Sequence, residues 1–284
     1  MKSLSLLAVF CVYALSAFAD FDAERAKADG GDMEAQYAVG RAYFKADGVP
    51  RDLEKAAAYF RQAAEQGHAK AQANLGGMYV EAQGVSKDLS EALRLFTEAA
   101  KKNDAVALTN LGWMHAAGVG TVKNMDESLR NYRLAAEAGN VVAQVRLGDI
   151  LLKGADGVGK EFEEAARWFG KAAEQGSADA QNSLGVMHEN GHGVVQDARK
   201  AVTWYRKASE RGHARAQLNL GRMYDQGLGV EPDAVQACMW LALSANQGET
   251  GGQKYLTDIL ATGRVTKEQI ADGARRAGEF VAKP

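Results

Sequence analysis

A six-residue phrase, Ala180-Gln181, two variable residues, then Leu184-Gly185, recurs six times along the chain. Ala35-Gln36 leads to Val39-Gly40, and Ala71-Gln72 to Leu75-Gly76. Ala107-Leu108 leads to Leu111-Gly112, Ala143-Gln144 to Leu147-Gly148, and Ala216-Gln217 to Leu220-Gly221. The intervals between the leading alanines are 36, 36, 36, 37 and 36 residues. Such a period specifies a solenoid, in which each unit buries its apolar face only against its neighbours. The longer interval has a local cause: one extra residue in the glycine-rich stretch 153–159, where a loop insertion costs little.

With the leading alanine as position zero, positions 0, +4, +7 and +8 share one face of a helix. Position +4 is Val or Leu, and position +7 is Ala42, Met78, Met114, Ile150, Met187 or Met223. Position +8 is Tyr43, Tyr79, His115, Leu151, His188 or Tyr224. The stripe predicts a first helix with one buried face, and it makes His115 a core histidine. Glycine at +5 costs about 1 kcal/mol inside a helix relative to alanine. Six such costs predict a close helix–helix approach at which a Cβ would collide.

A short loop and a capping residue follow: Asp52, Asp88, Asn124, Glu161, Asp197 or Asp233. Glu161 is the weakest capper of the six. The second helix carries paired bulky residues, Tyr59-Phe60, Leu95-Phe96, Asn131-Tyr132, Trp168-Phe169, Trp204-Tyr205 and Trp240-Leu241. These should fill the space left by Ala and Gly on neighbouring helices. Gly67, Gly139, Gly176, Gly212 and Gly248 close the units, with Asn103 in that place once. The predicted fold is therefore all-α: a solenoid of about six helix–turn–helix repeats over residues 35–248, with capping segments at 20–34 and 249–284. In the last of these, Gly252-Gln253 to Leu256 is a degenerate seventh first helix, and Thr257 stands where the packing glycine belongs. Thr266 and Gln269 then form a capping-box pattern that opens a final helix.

Residues 1–19 read as a secretory signal peptide: one charge at Lys2, an apolar run from Leu4 to Ala17, and a small-x-small site at Ala17-Phe18-Ala19. The apolar run is too short for a good transmembrane helix, and no later run could span a bilayer, so no stable membrane anchor is expected. The expected location is periplasmic or secreted. Beyond that segment one cysteine remains, Cys238, which reads as a small packed hydrophobe. The net charge of −2 leaves no basic excess for nucleic acid.

The A-x-A-Q-x-x-L-G-x-x-Y phrase, the G-x-G-V loop, the K-A-x-x-W-Y-R-K-A second helix and the A-E-Q-G linker together resemble the Sel-1-like repeat family. The best match runs from Ala173-Glu174-Gln175-Gly176 to Tyr205-Arg206-Lys207-Ala208, and the resemblance covers nearly all of residues 28–263. It implies a right-handed α/α superhelix related to tetratricopeptide repeats, acting as an adaptor for a protein or peptide. Exported bacterial members suggest envelope, signalling or host-interaction roles. A two-cysteine branch of the family has been assigned penicillin binding or β-lactamase activity. This chain departs from it, with Cys238 alone beyond the signal segment and no Ser-x-x-Lys set. A cell-wall hydrolase and a peptidoglycan-binding module are the alternative functions.

His188-Glu189-Asn190-Gly191-His192 spells the zinc protease signature, which needs both histidines on one face of a continuous helix. The repeat register instead puts Gly191 at a helix end and His192 in the loop, so no metal and no cofactor is expected. His68 and His213 read as exposed turn residues. Gly154 to Gly159 lacks the GxxxxGK[ST] pattern of a phosphate loop. No catalytic set emerges. Binding is expected on the concave face lined by the first helices, from positions +2, +3, +6 and +9. The candidates are Tyr37, Arg41, Phe44, Asn74, Asn110, Trp113, Arg146, Asp149, Asn219 and Arg222. The asparagines would bond an extended peptide backbone, and Trp113 and Phe44 would anchor it.

Overall fold

The structure, a computed structural model, describes residues 20–155 and 157–283. The expected signal peptide lies outside the described residues. Residues 20–29 are helical (α1). The repeats then supply α2 (Met33–Lys45), α3 (Leu53–Glu65), α4 (Ala69–Glu81), α5 (Leu89–Ala100), α6 (Ala105–Ala117) and α7 (Met125–Glu137). They continue with α8 (Val141–Lys153), α9 (Phe162–Glu174), α10 (Ala178–Asn190), α11 (Ala198–Glu210), α12 (Ala214–Gln226) and α13 (Ala234–Asn246). Two terminal helices follow, α14 (Thr250–Ala261) and α15 (Lys267–Glu279). The array divides into two compact units, 1–140 and 141–284.

Each hairpin is built on the glycine at +5. A Cβ on Gly40 or Gly76 would lie 2.8 Å from a ring carbon of Phe60 or Phe96. At Gly112 and Gly148 it would lie 2.8 Å from Tyr132 and Phe169, at Gly185 2.5 Å from Tyr205, and at Gly221 2.7 Å from Leu241. The repeated helix glycine therefore clears a seat for the bulky residue of its own second helix. All six seated residues are buried. The two helices are held by a ring in the notch, or by Leu241 in the sixth repeat, which recovers the glycine's cost through apolar burial.

The second-helix caps behave as their chemistry dictates. Asp52, Asp88, Asn124, Asp197 and Asp233 each accept a backbone N–H of the first turn, whereas Glu161 makes no such bond. His68 and His213 correct the sequence reading. Neither is an exposed turn residue: His68 is buried, and both are N-caps of first helices. His68 Nδ1 accepts the Ala71 N–H at 3.1 Å, and His213 Nδ1 accepts that of Ala216 at 3.0 Å. Each Nε2 then carries the proton and faces a carboxylate of the preceding first helix, Glu34 at 3.3 Å and Asp179 at 3.2 Å. These histidines take the place that Asp32, Asp104 and Ser177 fill elsewhere.

The glutamine at +1 joins repeats. Its Nε2 donates to the carbonyl eight residues earlier: Gln36 to Ala28, Gln72 to Ala64, Gln181 to Ala173 and Gln217 to Ser209. Its Oε1 accepts from the linker glutamine that closes its own unit, Gln66 to Gln36 at 2.8 Å, Gln175 to Gln144 at 2.9 Å and Gln247 to Gln217 at 2.8 Å. In the second repeat the linker residue is Lys102, which reaches the Gly67 carbonyl, and Gln72 Oε1 is buried without a partner. Lys102→Gln is therefore expected to raise stability by about 1 kcal/mol, because it pairs a buried acceptor. A urea titration reads this, and no gain would show that Gln72 is already satisfied by water.

The C-terminal end departs from the repeat. α15 packs along α13, and a Cβ on Gly273 would come within 2.5 Å of Cys238 Cβ. Thr257 is exposed, since no second-helix ring needs a seat there. Thr266 and Gln269 close a reciprocal capping box at the start of α15. Cys238 is a packed core residue, and burial, helped by Asp225, pushes its thiol up to about 11. Phe280 meets the Trp240 ring edge-on at 5.4 Å, and Lys283 N–H donates to the Glu210 carbonyl at 2.7 Å, fastening the tail to α11 and α13.

Candidate functional site

In the first unit, the first helices α2, α4 and α6 carry six of the candidates. Tyr37 stacks on His68 with centroids 4.4 Å apart and tilts against Phe60 at 5.9 Å. Phe44 lies 6.3 Å from Phe60, with the Arg51 guanidinium 5.9 Å over its ring. Both aromatics are thus partly committed to packing. Arg41 is exposed, and Asn74 is half-buried. Asn110 donates to the Val106 carbonyl at 2.9 Å, one turn back on its own helix. Trp113 is 38% exposed, and Val106, two turns earlier on the same helix, is 49% exposed. The position in register with Trp113 on α4 is Gly77, where a Cβ would meet nothing within 4 Å.

In the second unit the candidates sit on α8, α10 and α12. Arg222 places Nη2 2.6 and 2.7 Å from the two carboxylate oxygens of Glu189. Glu189 also accepts the buried Tyr205 hydroxyl at 2.7 Å. Burial, then that bond and the glutamate's charge, hold the Tyr205 hydroxyl well above the usual tyrosine range. Arg222 is therefore a tie between first helices. Asn219 donates to Asn182 Oδ1 at 3.1 Å, so one rung of the expected asparagine ladder is an inter-repeat bond. Asp149 pairs with Lys153 at 3.5 Å, one turn on, and Arg146 is exposed.

These helices border an open cavity of about 770 Å3, lined by Val142, Val145, Arg146 and Asp149 of α8, by the start of α10 with Asn182, by His213 at the cap of α12 and by Arg215. It combines an apolar wall with converging polar groups, the usual character of a binding cleft. Arg215 lies one residue before a leading alanine, outside the variable slots that the helical stripe singles out, so only the stacking of three helices reveals it.

The members of the H-E-x-x-H string point apart. α10 ends at Asn190, and Gly191 is the left-handed cap. His188 Nδ1 faces the Val195 carbonyl at 3.2 Å, while the His192 ring stacks on Phe162 with centroids 4.8 Å apart. Among the described residues, no three His, Cys, Asp or Glu gather as metal ligands would. His115 is half-buried, less enclosed than a core residue, with Nδ1 enclosed and without a partner. No described helix is long and apolar enough to cross a membrane.

A family model described as Sel1 repeat matches residues 34–68, 69–104, 105–140, 141–177, 178–213 and 214–249. No curated protein matches the chain. Among solved structures, it is similar to a Sel1 repeat protein from Oxalobacter formigenes, at 33% identity and a TM-score of 0.71, over 76% of this chain and 89% of that one. It is also similar to c5321, a protective antigen present in uropathogenic Escherichia coli strains and displaying the same repeat fold. That match has 28% identity and a TM-score of 0.60 over 92% of this chain, which spans 64% of the antigen's length. Six consecutive matches, each containing one alanine–glycine phrase and one glycine-notch hairpin, place the chain in the Sel1 repeat family as a helical solenoid.

Proposed function

We propose that this chain is a non-enzymatic adaptor that holds an extended protein or peptide segment along the face of its first helices, in the envelope or outside the cell. The observation that carries the reading is Trp113: a large aromatic half-open to solvent, with Val106 exposed on the same helix and open space at Gly77. Tryptophan is enriched among binding anchors, and an indole 38% exposed beside an exposed valine is apolar surface open to a partner. The first 19 residues, read as an export signal, and the likeness to a protective antigen support an exported scaffold. Against catalysis stands the engagement of Glu189, the one glutamate of a protease-like string, by Arg222 and Tyr205.

The test is affinity capture from an envelope extract by the wild-type chain and by the Trp113→Ala, Asn110→Ala double variant. Loss of an anchor tryptophan should weaken capture at least tenfold, from a contribution of about 2 kcal/mol or more. Helical circular dichroism and the melting curve should stay nearly unchanged. Undiminished capture would remove this face from the binding reading.

A further inference from the structure

We infer that the cavity between α8, α10 and α12 is a carboxylate-binding subsite, and that it takes acidic side chains of an extended peptide. The inference rests on the adaptor reading and adds the chemistry of the ligand at one place on the first-helix face.

Two arginines from different helices line the cavity, Arg146 on α8 and Arg215 on α12. Neither makes an ion pair or side-chain hydrogen bond among the described residues, although most other arginines of this unit do. Between them stands Asn182, only 9% exposed. Its Oδ1 is taken by Asn219, which fixes the amide orientation and leaves Nδ2, a donor, without an acceptor. That donor opens toward the cavity and is free to bond an acceptor placed there. The start of α10 also faces the cavity, and the backbone N–H groups of Ala178 and Asp179 lack intrahelical partners, as first-turn groups must.

The cavity's own carboxylates are already engaged. Asp149 pairs with Lys153, and Asp179 accepts from His213 Nε2. The groups left without a partner in the fold are donors: two guanidinium forks, one amide and a helix start, beside an Asp179 carboxylate that stays largely exposed. A guanidinium fork matches a carboxylate in geometry as well as charge. The volume of about 770 Å3 and the wall of Val142 and Val145 suit a peptide segment with aliphatic stems. A bare inorganic anion would leave that wall and most of the space unused.

The experiment is fluorescence anisotropy with a dye-labelled peptide alternating glycine and glutamate, its glutamine counterpart, and inorganic phosphate as competitor. The glutamate peptide should bind about tenfold or more tightly than the glutamine peptide, and its affinity should fall as salt rises. Arg146→Glu with Arg215→Glu should abolish that preference. Asn182→Asp keeps the acceptor for Asn219 but replaces the free donor with a negative oxygen, and should weaken the glutamate peptide about tenfold. Arg167→Glu, on the exposed side of α9, should leave binding unchanged, and all variants are checked by melting. Equal binding of the two peptides, no binding by the wild type, or indifference to the double charge reversal would each overturn the inference. Displacement of the peptide by phosphate at equal concentration would overturn it too, by reassigning the cavity to a small anion. A chain that still captures its partner through Trp113 in any of those cases leaves the adaptor reading standing. Failure of capture by the wild-type chain sinks the adaptor reading itself.

Discussion

Gly193→Ala is expected to lower stability by about 3–5 kcal/mol, among the largest single losses available in this chain. Gly193 lies in the loop between α10 and α11, at φ +66°. A Cβ there would sit 2.3 Å from both the carbonyl carbon and oxygen of Phe162, at the start of the preceding repeat's second helix. Two penalties add. The left-handed backbone strains any L side chain, and the methyl group drives into main chain rather than into a flexible side chain. Neither partner can yield, because Phe162 is the first residue of α9 and the loop is pinned by α10 and α11. Gly84 against Leu53 and Gly229 against Ala198 repeat the arrangement, so the contact is a backbone-to-backbone joint between successive units. Gly48→Ala is the control: φ is +71°, yet nothing lies within 4 Å, and the loss should be only about 1–2 kcal/mol. Chemical denaturation followed by circular dichroism measures both. Losses of equal size would show that backbone strain, not the joint, dominates.

Two helix glycines should respond to the same change with opposite signs. Gly185→Ala is expected to cost about 2–4 kcal/mol, because the new Cβ would lie 2.5 Å from Cδ1 and Cε1 of Tyr205. That ring has nowhere to slide: it is fully buried and its hydroxyl is held by Glu189, which Arg222 holds in turn. Gly170→Ala, inside α9 with nothing within 4 Å of the added Cβ, should instead stabilise by about 0.5–1 kcal/mol through helix propensity and a less entropic unfolded chain. Denaturation midpoints decide the matter. Destabilisation at Gly170 or indifference at Gly185 would contradict the ring-in-notch account. The contrast matters for function as well, since the Tyr205–Glu189–Arg222 tie sets the spacing of α10 and α12, two walls of the carboxylate cavity.

Much of the repeat was legible from residue order alone. The 36-residue period, the buried stripe, the weak cap at Glu161 and the packing purpose of the +5 glycine follow from helical periodicity and local chemistry. The stripe and the caps depend on neighbours three or four residues away, and the glycine notch on its regular recurrence against a bulky residue about twenty positions on. The capping box at Thr266 is local in the same sense. His68 and His213 were misread because histidine is an uncommon N-cap. Its role shows only when Nδ1 is seen on the first-turn N–H, with a carboxylate of the preceding unit behind Nε2.

The binding face divides along the same line. Sequence determined which slots are variable, and hence that Trp113, Arg146 and the asparagines are free to differ between repeats. It could not determine which of these side chains the neighbours consume. Tyr37 is spent on His68, Arg222 on Glu189 and Asn219 on Asn182, each across a gap of 31 to 37 residues. Such contacts depend on the stacking of whole helices, and so on distances that no local pattern encodes. By itself, the sequence established a helical repeat array with glycine notches, and an exported adaptor as its expected use. Only the tertiary structure decided which polar groups remain unspent, because a donor is unpaired only with respect to everything packed around it.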